Sequence, residues 1–132
     1  MKTVLLVEDD KKVALALGIR LKAMGYAVVT ASDAVSAVSQ ARKSEPDVIL
    51  LDINLPGGDG FLVAERLQQL VQTAASPIIF ITASKRSELK LKAKELGAVR
   101  FLEKPFDATR LADAIETAFT SEQRWEAVPD AV

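Results

Sequence analysis

Residues 48–60 read Val-Ile-Leu-Leu-Asp-Ile-Asn-Leu-Pro-Gly-Gly-Asp-Gly, and the fold is decided by what surrounds that stretch. Four apolar residues, Val48 to Leu51, run unbroken into Asp52, and the chain then turns on Pro56, Gly57, Gly58 and Gly60. An unbroken apolar run of this length reads as a strand of a parallel sheet covered on both faces. In open α/β sheets, ligands sit just beyond the C-terminal ends of the strands. Asp52 is expected just past such an end, where a carboxylate either caps a turn or reacts.

Four similar runs flank it: Thr3–Val7, Tyr26–Thr30, Pro77–Ile81 and Val99–Leu102, with the central one counted as Asp47–Leu51. Helical spacing fills the intervals. Val13, Leu17, Leu21 and Met24 share one face of a helix that closes at Gly25; Val35, Val38 and Ala41 line a second that ends before Pro46. Phe61, Ala64 and Leu67 open a third, Leu89, Ala93 and Leu96 face inward on a fourth ending at Gly97. Leu111, Ala114, Ile115, Ala118 and Phe119 mark a fifth, with Asp107 as its N-cap. Alternating strands and helices with short connections imply parallel pairing through right-handed crossovers. The expected fold is α/β: a (βα)5 doubly wound, five-stranded parallel sheet of order 2-1-3-4-5, flavodoxin-like. The second and fifth runs are more mixed and suit its less buried positions. Residues 1–120 form the domain, and 121–132 read as a polar tail or the start of a linker.

Composition removes several chemistries. With no cysteine and no histidine, thiolate catalysis, disulfides, cysteine-based metal sites and an imidazole general base are all excluded. Seventeen basic and 18 acidic residues give a net charge of −1, so no global field favours nucleic acid or an anionic membrane. No apolar run approaches the roughly 18 residues that cross a bilayer. Carboxylates follow the first apolar run directly, unlike a signal peptide, so the chain is expected to be cytoplasmic.

A parallel sheet gathers its strand ends on one edge. Glu8 and Asp9 follow the first strand, Asp52 the third, Thr82 the fourth and Lys104 the fifth. In order 2-1-3-4-5 the first and third strands are neighbours at the topological switch point, so the three acids converge. Two carboxylates roughly 5 Å apart repel by about 3 kcal/mol at an effective dielectric near 20. Three demand a proton, a cation or both. Lys104 supplies one positive charge, and the all-oxygen donor set points to Mg²⁺ for the remainder, with Mn²⁺ as a substitute. Asp10 is assigned to capping the first helix.

These residues carry a resemblance. The chain resembles a response-regulator receiver domain, on Glu8-Asp9 after Leu-Leu-Val, Asp52 in LLDINLPGGDG, Thr82 in FITAS and Lys104-Pro105 in FLEKPF. Each motif is weak alone; all of them in order, each after its own strand, are specific. The resemblance implies a phosphorylation-dependent signalling switch that catalyses only its own phosphorylation and dephosphorylation. Asp52 would take a phosphoryl group from a sensor histidine kinase or phosphotransfer protein. Mg²⁺ would be held by Asp9, Asp52 and the backbone carbonyl of Asn54, with Glu8 reaching it through water. Lys104 would pair with the phosphoryl group and Thr82 would hydrogen-bond to it. Phe101 would hold the switch position, without the hydroxyl of a tyrosine, and the Lys104–Pro105 peptide would be cis. Asn54 and Ser84 stand where the family tunes the lifetime of the acyl phosphate, and Gly57-Gly58 would loosen the loop that keeps the pocket open.

The helix Lys85–Leu96 carries Lys85, Arg86, Lys90, Lys92 and Lys94 around Leu91. It reads either as a solvated face or as a surface for an effector or a second copy. Two rival functions remain open. An aspartate-nucleophile phosphatase would also use carboxylates and Mg²⁺, but its nucleophile is expected in a DxD motif after the first strand. A receiver-like interaction module that is never phosphorylated would keep the fold and lose the site, against which the intact set Asp9, Asp52, Thr82 and Lys104 argues.

Overall fold

The computed structural model describes residues 1–56 and 59–120. The expected openness of the Gly57-Gly58 turn and the reading of residues 121–132 as tail or linker fall outside them. Strands and helices alternate as β1 (Thr3–Val7), α1 (Lys11–Ala23), β2 (Ala27–Ala31), α2 (Ala34–Ser44), β3 (Val48–Asp52), α3 (Gly60–Gln69), β4 (Ile78–Thr82), α4 (Ser87–Glu95), β5 (Arg100–Glu103) and α5 (Ala108–Thr120). The strands form one parallel sheet of order β2-β1-β3-β4-β5, the doubly wound arrangement expected.

Period-two alternation divides the core into two halves. Leu5, Val7, Ile49, Leu51 and Phe80 point to the face covered by α2, α3 and α4. Val4, Leu6, Leu50, Ile79 and Ile81 point to the face covered by α1 and α5. Every residue of β3 and β4 is buried, whereas β2 and β5, at the sheet edges, are mostly half-buried.

Helix boundaries follow local chemistry. Asp10 caps α1 by accepting from the backbone N–H groups of Lys12 (2.9 Å) and Val13 (3.1 Å), the role assigned to it. Gly25 follows α1 with φ of 97°, a backbone state that favours glycine. Asp107 accepts from the N–H of Arg110 at 2.8 Å and so opens α5. Asp33 and Ser36 close a reciprocal capping box on α2.

Two expectations need correction. Val35 does not line the inner face of α2: it is 75% exposed, and Ala34, Ala37 and Ala41 are buried instead. The capping box starts the helix at Ala34, and small side chains on its inner face let it lie close to the sheet. Second, four of the five strands begin and end one residue later than their apolar runs. Backbone pairing is indifferent to side-chain polarity, so the ladder continues through Asp52 opposite Ile81 and Thr82 opposite Glu103. Asp52 and Thr82 are therefore the last residues of their strands rather than the first beyond them.

Candidate functional site

β1 and β3 are adjacent, and their C-terminal ends bring Glu8, Asp9 and Asp52 together. One carboxylate oxygen of each lies within 4.8 Å of the others. Glu8 and Asp52 are buried, at 3% and 4% exposure, while Asp9 faces solvent. Backbone bonding continues past the strands here: the N–H of Glu8 donates to Ala31 O (3.0 Å) and that of Ile53 to Ile81 O (3.0 Å). Glu8 and Asp52 are thus held by the backbone ladder of the sheet, and Asp9 stands one residue beyond it.

Lys104 reaches the cluster from the end of β5. Its backbone N–H donates to Thr82 O at 2.7 Å, and the Lys104–Pro105 peptide is cis. Its ammonium donates to Glu8 Oε1 and, at 3.0 Å, to Asp52 Oδ2. The other Asp52 oxygen accepts from the N–H of Asn54 at 3.0 Å, with Asn54 itself exposed. Both oxygens of Asp52 therefore have a donor, which holds the carboxylate in one orientation.

Thr82 is fully buried at the end of β4, beside β3. Its Oγ1 accepts from the N–H of Ser84 at 3.0 Å, and among the described residues its own hydrogen has no acceptor. Phe101 lies apart from the acids, half-buried on β5 opposite Phe80, and packs against the core beneath α2, α3 and α4.

Electrostatics match this crowding. Burial, together with the neighbouring Asp52, raises the Glu8 carboxyl from 4.5 to about 7 even with Lys104 beside it. Burial pulls Lys104 down, but its bonds to Glu8 and Asp52 more than offset that, and the ammonium stays above its usual value. One lysine against three carboxyl groups leaves the cluster short of positive charge. Its donors are all oxygen, close together and open to solvent at Asp9, which fits a hard divalent cation.

Two contributors were not singled out from the sequence. Asp59 caps α3 by accepting from the N–H of Leu62 at 2.8 Å, a pattern visible in an aspartate just ahead of Gly-Phe-Leu-Val. Gly60 was read only as a turn residue. It starts α3 against the end of β3: its N–H donates to Ile53 O at 2.6 Å, and a Cβ there would fall 2.3 Å from Asp52 O and 2.7 Å from Ile53 Cα. Nothing in the residue pattern reports that approach.

Residues 4–116 match the model of the response regulator receiver domain. Among curated relatives, the chain is 31% identical over 131 residues to the DNA-binding dual master transcriptional regulator RpaA of Synechocystis, covering 99% of this chain and 53% of that protein. It is 38% identical over 105 residues to the alkaline phosphatase synthesis transcriptional regulatory protein PhoP of Bacillus subtilis, covering 80% and 43% respectively. The chain thus spans about half the length of the curated relatives it matches. Among solved structures, the chemotaxis protein CheY4 of Vibrio cholerae superposes with a TM-score of 0.84 at 31% identity, over 89% of this chain and 98% of that one. The receiver domain of a sensor histidine kinase from Pseudomonas aeruginosa, with a magnesium ion coordinated in its active-site cleft, superposes with a TM-score of 0.83 at 28% identity, over 91% and 98%.

Proposed function

We propose, as this chain belongs to the response regulator receiver domain family, that Asp52 is its phosphoacceptor. It takes a phosphoryl group from a phosphohistidine on a sensor histidine kinase or phosphotransfer protein. The observation that carries this reading is the pairing of Asp52 with Lys104, beside two further carboxylates, at the C-terminal edge of the sheet.

The geometry supports the following chemistry. Asp52 Oδ bonds to phosphorus as the P–N bond to the donor imidazole breaks, and the imidazole keeps that electron pair and takes up a proton. Asp9 and Asp52, with the Asn54 carbonyl, would hold Mg²⁺, and Glu8 would reach it through water. The ion, when bound, offsets repulsion between the nucleophile and the incoming phosphoryl oxygens. Mn²⁺ offers the same oxygen preference. Asp52 is held ready by the Asn54 N–H at one oxygen and by Lys104 at the other. After transfer, Lys104 pairs with the phosphoryl group and Thr82 donates its free hydroxyl hydrogen to it. Phe101 follows Thr82 as the switch residue. Because the only bond made is on the protein itself, the chain acts as a switch and turns over nothing but its own acyl phosphate.

The donor must reach this edge. Leu15 and Ile19 of α1, 67% and 60% exposed, line a cleft with Glu8 and Asp9 and offer an apolar approach. The basic face of α4 serves an effector or a second copy. No helix among the described residues is long and apolar enough to cross a membrane, and a cytoplasmic setting is consistent with a kinase donor.

Incubation with Mg²⁺ and a small acyl phosphate, followed by intact-mass measurement, tests the reading. The expected result is a gain of one phosphoryl group, absent in Asp52→Ala and absent with chelator. Steady turnover of many phosphoesters would point to a phosphatase instead, and no adduct with no turnover to an unphosphorylated interaction module.

A further inference from the structure

The sheet face covered by α2, α3 and α4 carries a feature that shares no residue with the acid cluster. A groove of about 770 Å³ runs between α2 and α3. Val35, Val38 and Leu70 give it an apolar floor, and Arg42, Lys43 and Arg66 stand along it. Val35 is a β-branched apolar residue left 75% exposed. Among the described residues, no carboxylate lines the groove. None of the three cations has an ion-pair or hydrogen-bonding side-chain partner among the described residues.

Cations in the last turn of a helix are favoured by the helix dipole, and all three occupy such turns. That accounts for each one singly. It does not account for a valine left exposed in the first turn of α2 on the same groove, nor for two helices directing their cations to one apolar channel. Together these features have the layout of a helix-in-groove site, in which an amphipathic helix lays its apolar stripe on the floor and its flanking charges meet the rim. The floor is aliphatic and offers no aromatic platform for a base, and the chain as a whole carries a charge of −1, so nucleic acid is the poorer match.

We propose that the α2–α3 groove docks an acidic amphipathic helix of a partner protein. The proposal rests on the groove alone and stands whether or not Asp52 is phosphorylated.

The full chain, isotopically labelled, can be titrated with a synthetic helical peptide carrying leucines at i, i+3, i+4 and i+7 flanked by glutamates. A twin peptide with lysine in place of glutamate is the control. Expected are amide shifts confined to Val35–Lys43 and Arg66–Leu70 for the acidic peptide, and none for the basic twin. The double variant Arg42→Glu/Arg66→Glu should weaken binding by about tenfold or more, as loss of charge complementarity across an interface does, with binding also falling as salt rises. The single variant Arg66→Gln should weaken it less, and unchanged circular dichroism in both confirms that the exposed substitutions leave the fold intact. Equal affinity for both peptides, shifts centred on the basic α4 face, or no groove shifts at millimolar peptide would overturn the proposal. So would groove shifts that depend on protein concentration alone, which would make a second copy the occupant.

Discussion

The ammonium of Lys104 stands 3.0 Å from Asp52 Oδ2 while also donating to Glu8, so one cation at the end of β5 is shared by two buried carboxyl groups from β1 and β3. Removing it leaves those groups facing each other with no positive charge. Lys104→Met should therefore bind Mg²⁺ more tightly, by at least tenfold, since a unit charge about 5 Å away at an effective dielectric near 20 is worth about 3 kcal/mol. It should also accept phosphoryl groups more slowly, because the product loses its counter-charge. Calorimetric Mg²⁺ titration and timed intact-mass measurements check the two halves. Looser Mg²⁺ binding in the variant would contradict the shared-cation arrangement.

The raised carboxyl of Glu8 gives a pH dependence with a definite sign. In the metal-free chain Glu8 keeps its proton up to about 7, whereas in the unfolded chain it ionises near 4.5. The folded state then binds more protons across that window, so this group's contribution to stability is complete below 4.5 and is lost as pH rises to about 7. Urea melts at intervals between those limits should show the decline, and Glu8→Gln should flatten it. By the same linkage, Mg²⁺ binding at pH 6 should release a proton and strengthen towards pH 8. Calorimetry in two buffers of different ionisation enthalpy detects the release.

Gly60→Ala tests the close approach of α3 to β3. Alanine is the better helix former, but its methyl would meet the Asp52 carbonyl oxygen at 2.3 Å, backbone that has no flexible side chain to yield. The expected cost is about 1–3 kcal/mol, the usual range for overpacking, read from urea melts. Phosphorylation should slow as well, since the end of β3 must shift. A stabilised variant would show that the contact is easily relieved.

Asp10→Ala separates a cap from a metal ligand. Asp10 is adjacent to the acid cluster in sequence, but its carboxylate is engaged by Lys12 and Val13. Its removal should cost about 1 kcal/mol of stability and leave phosphorylation of Asp52 intact. Loss of Mg²⁺ binding would instead make Asp10 part of the site.

The fold was legible because its signals are local and repeated. Five apolar runs and five helical spacings fix the order of elements, and short connections allow few topologies. The site was legible for a related reason: a parallel sheet collects its strand ends, so Glu8, Asp9, Asp52 and Lys104 could be placed on one edge without coordinates. What escaped depends on contacts between elements. Glu8 was placed at the site only as a water-mediated partner of the metal, and its burial against Lys104, an ion pair between the ends of β1 and β5, was not foreseen. Val35 was placed inward with Val38 and Ala41 on helical spacing, but Ala34, Ala37 and Ala41 set the inner face of α2. Gly60 gave no sign of its contact with Asp52, because a residue without a side chain leaves no periodicity to read.

The helices are held unequally. In α4 a single residue, Ala93, is fully buried, and no side chain caps the N-terminus, whereas α3 buries five residues and is capped by Asp59. Little apolar surface and no cap mean that displacing α4 costs far less than displacing α3. Hydrogen exchange should accordingly be fastest in α4 among the five helices. A phosphoryl group on Asp52, as proposed, would then meet a low threshold on one side of the sheet: the work needed to re-seat α4 is small against the several charged contacts that such a group brings. Economy in holding that helix is what would make a three-oxygen ligand on Asp52 large enough to move it.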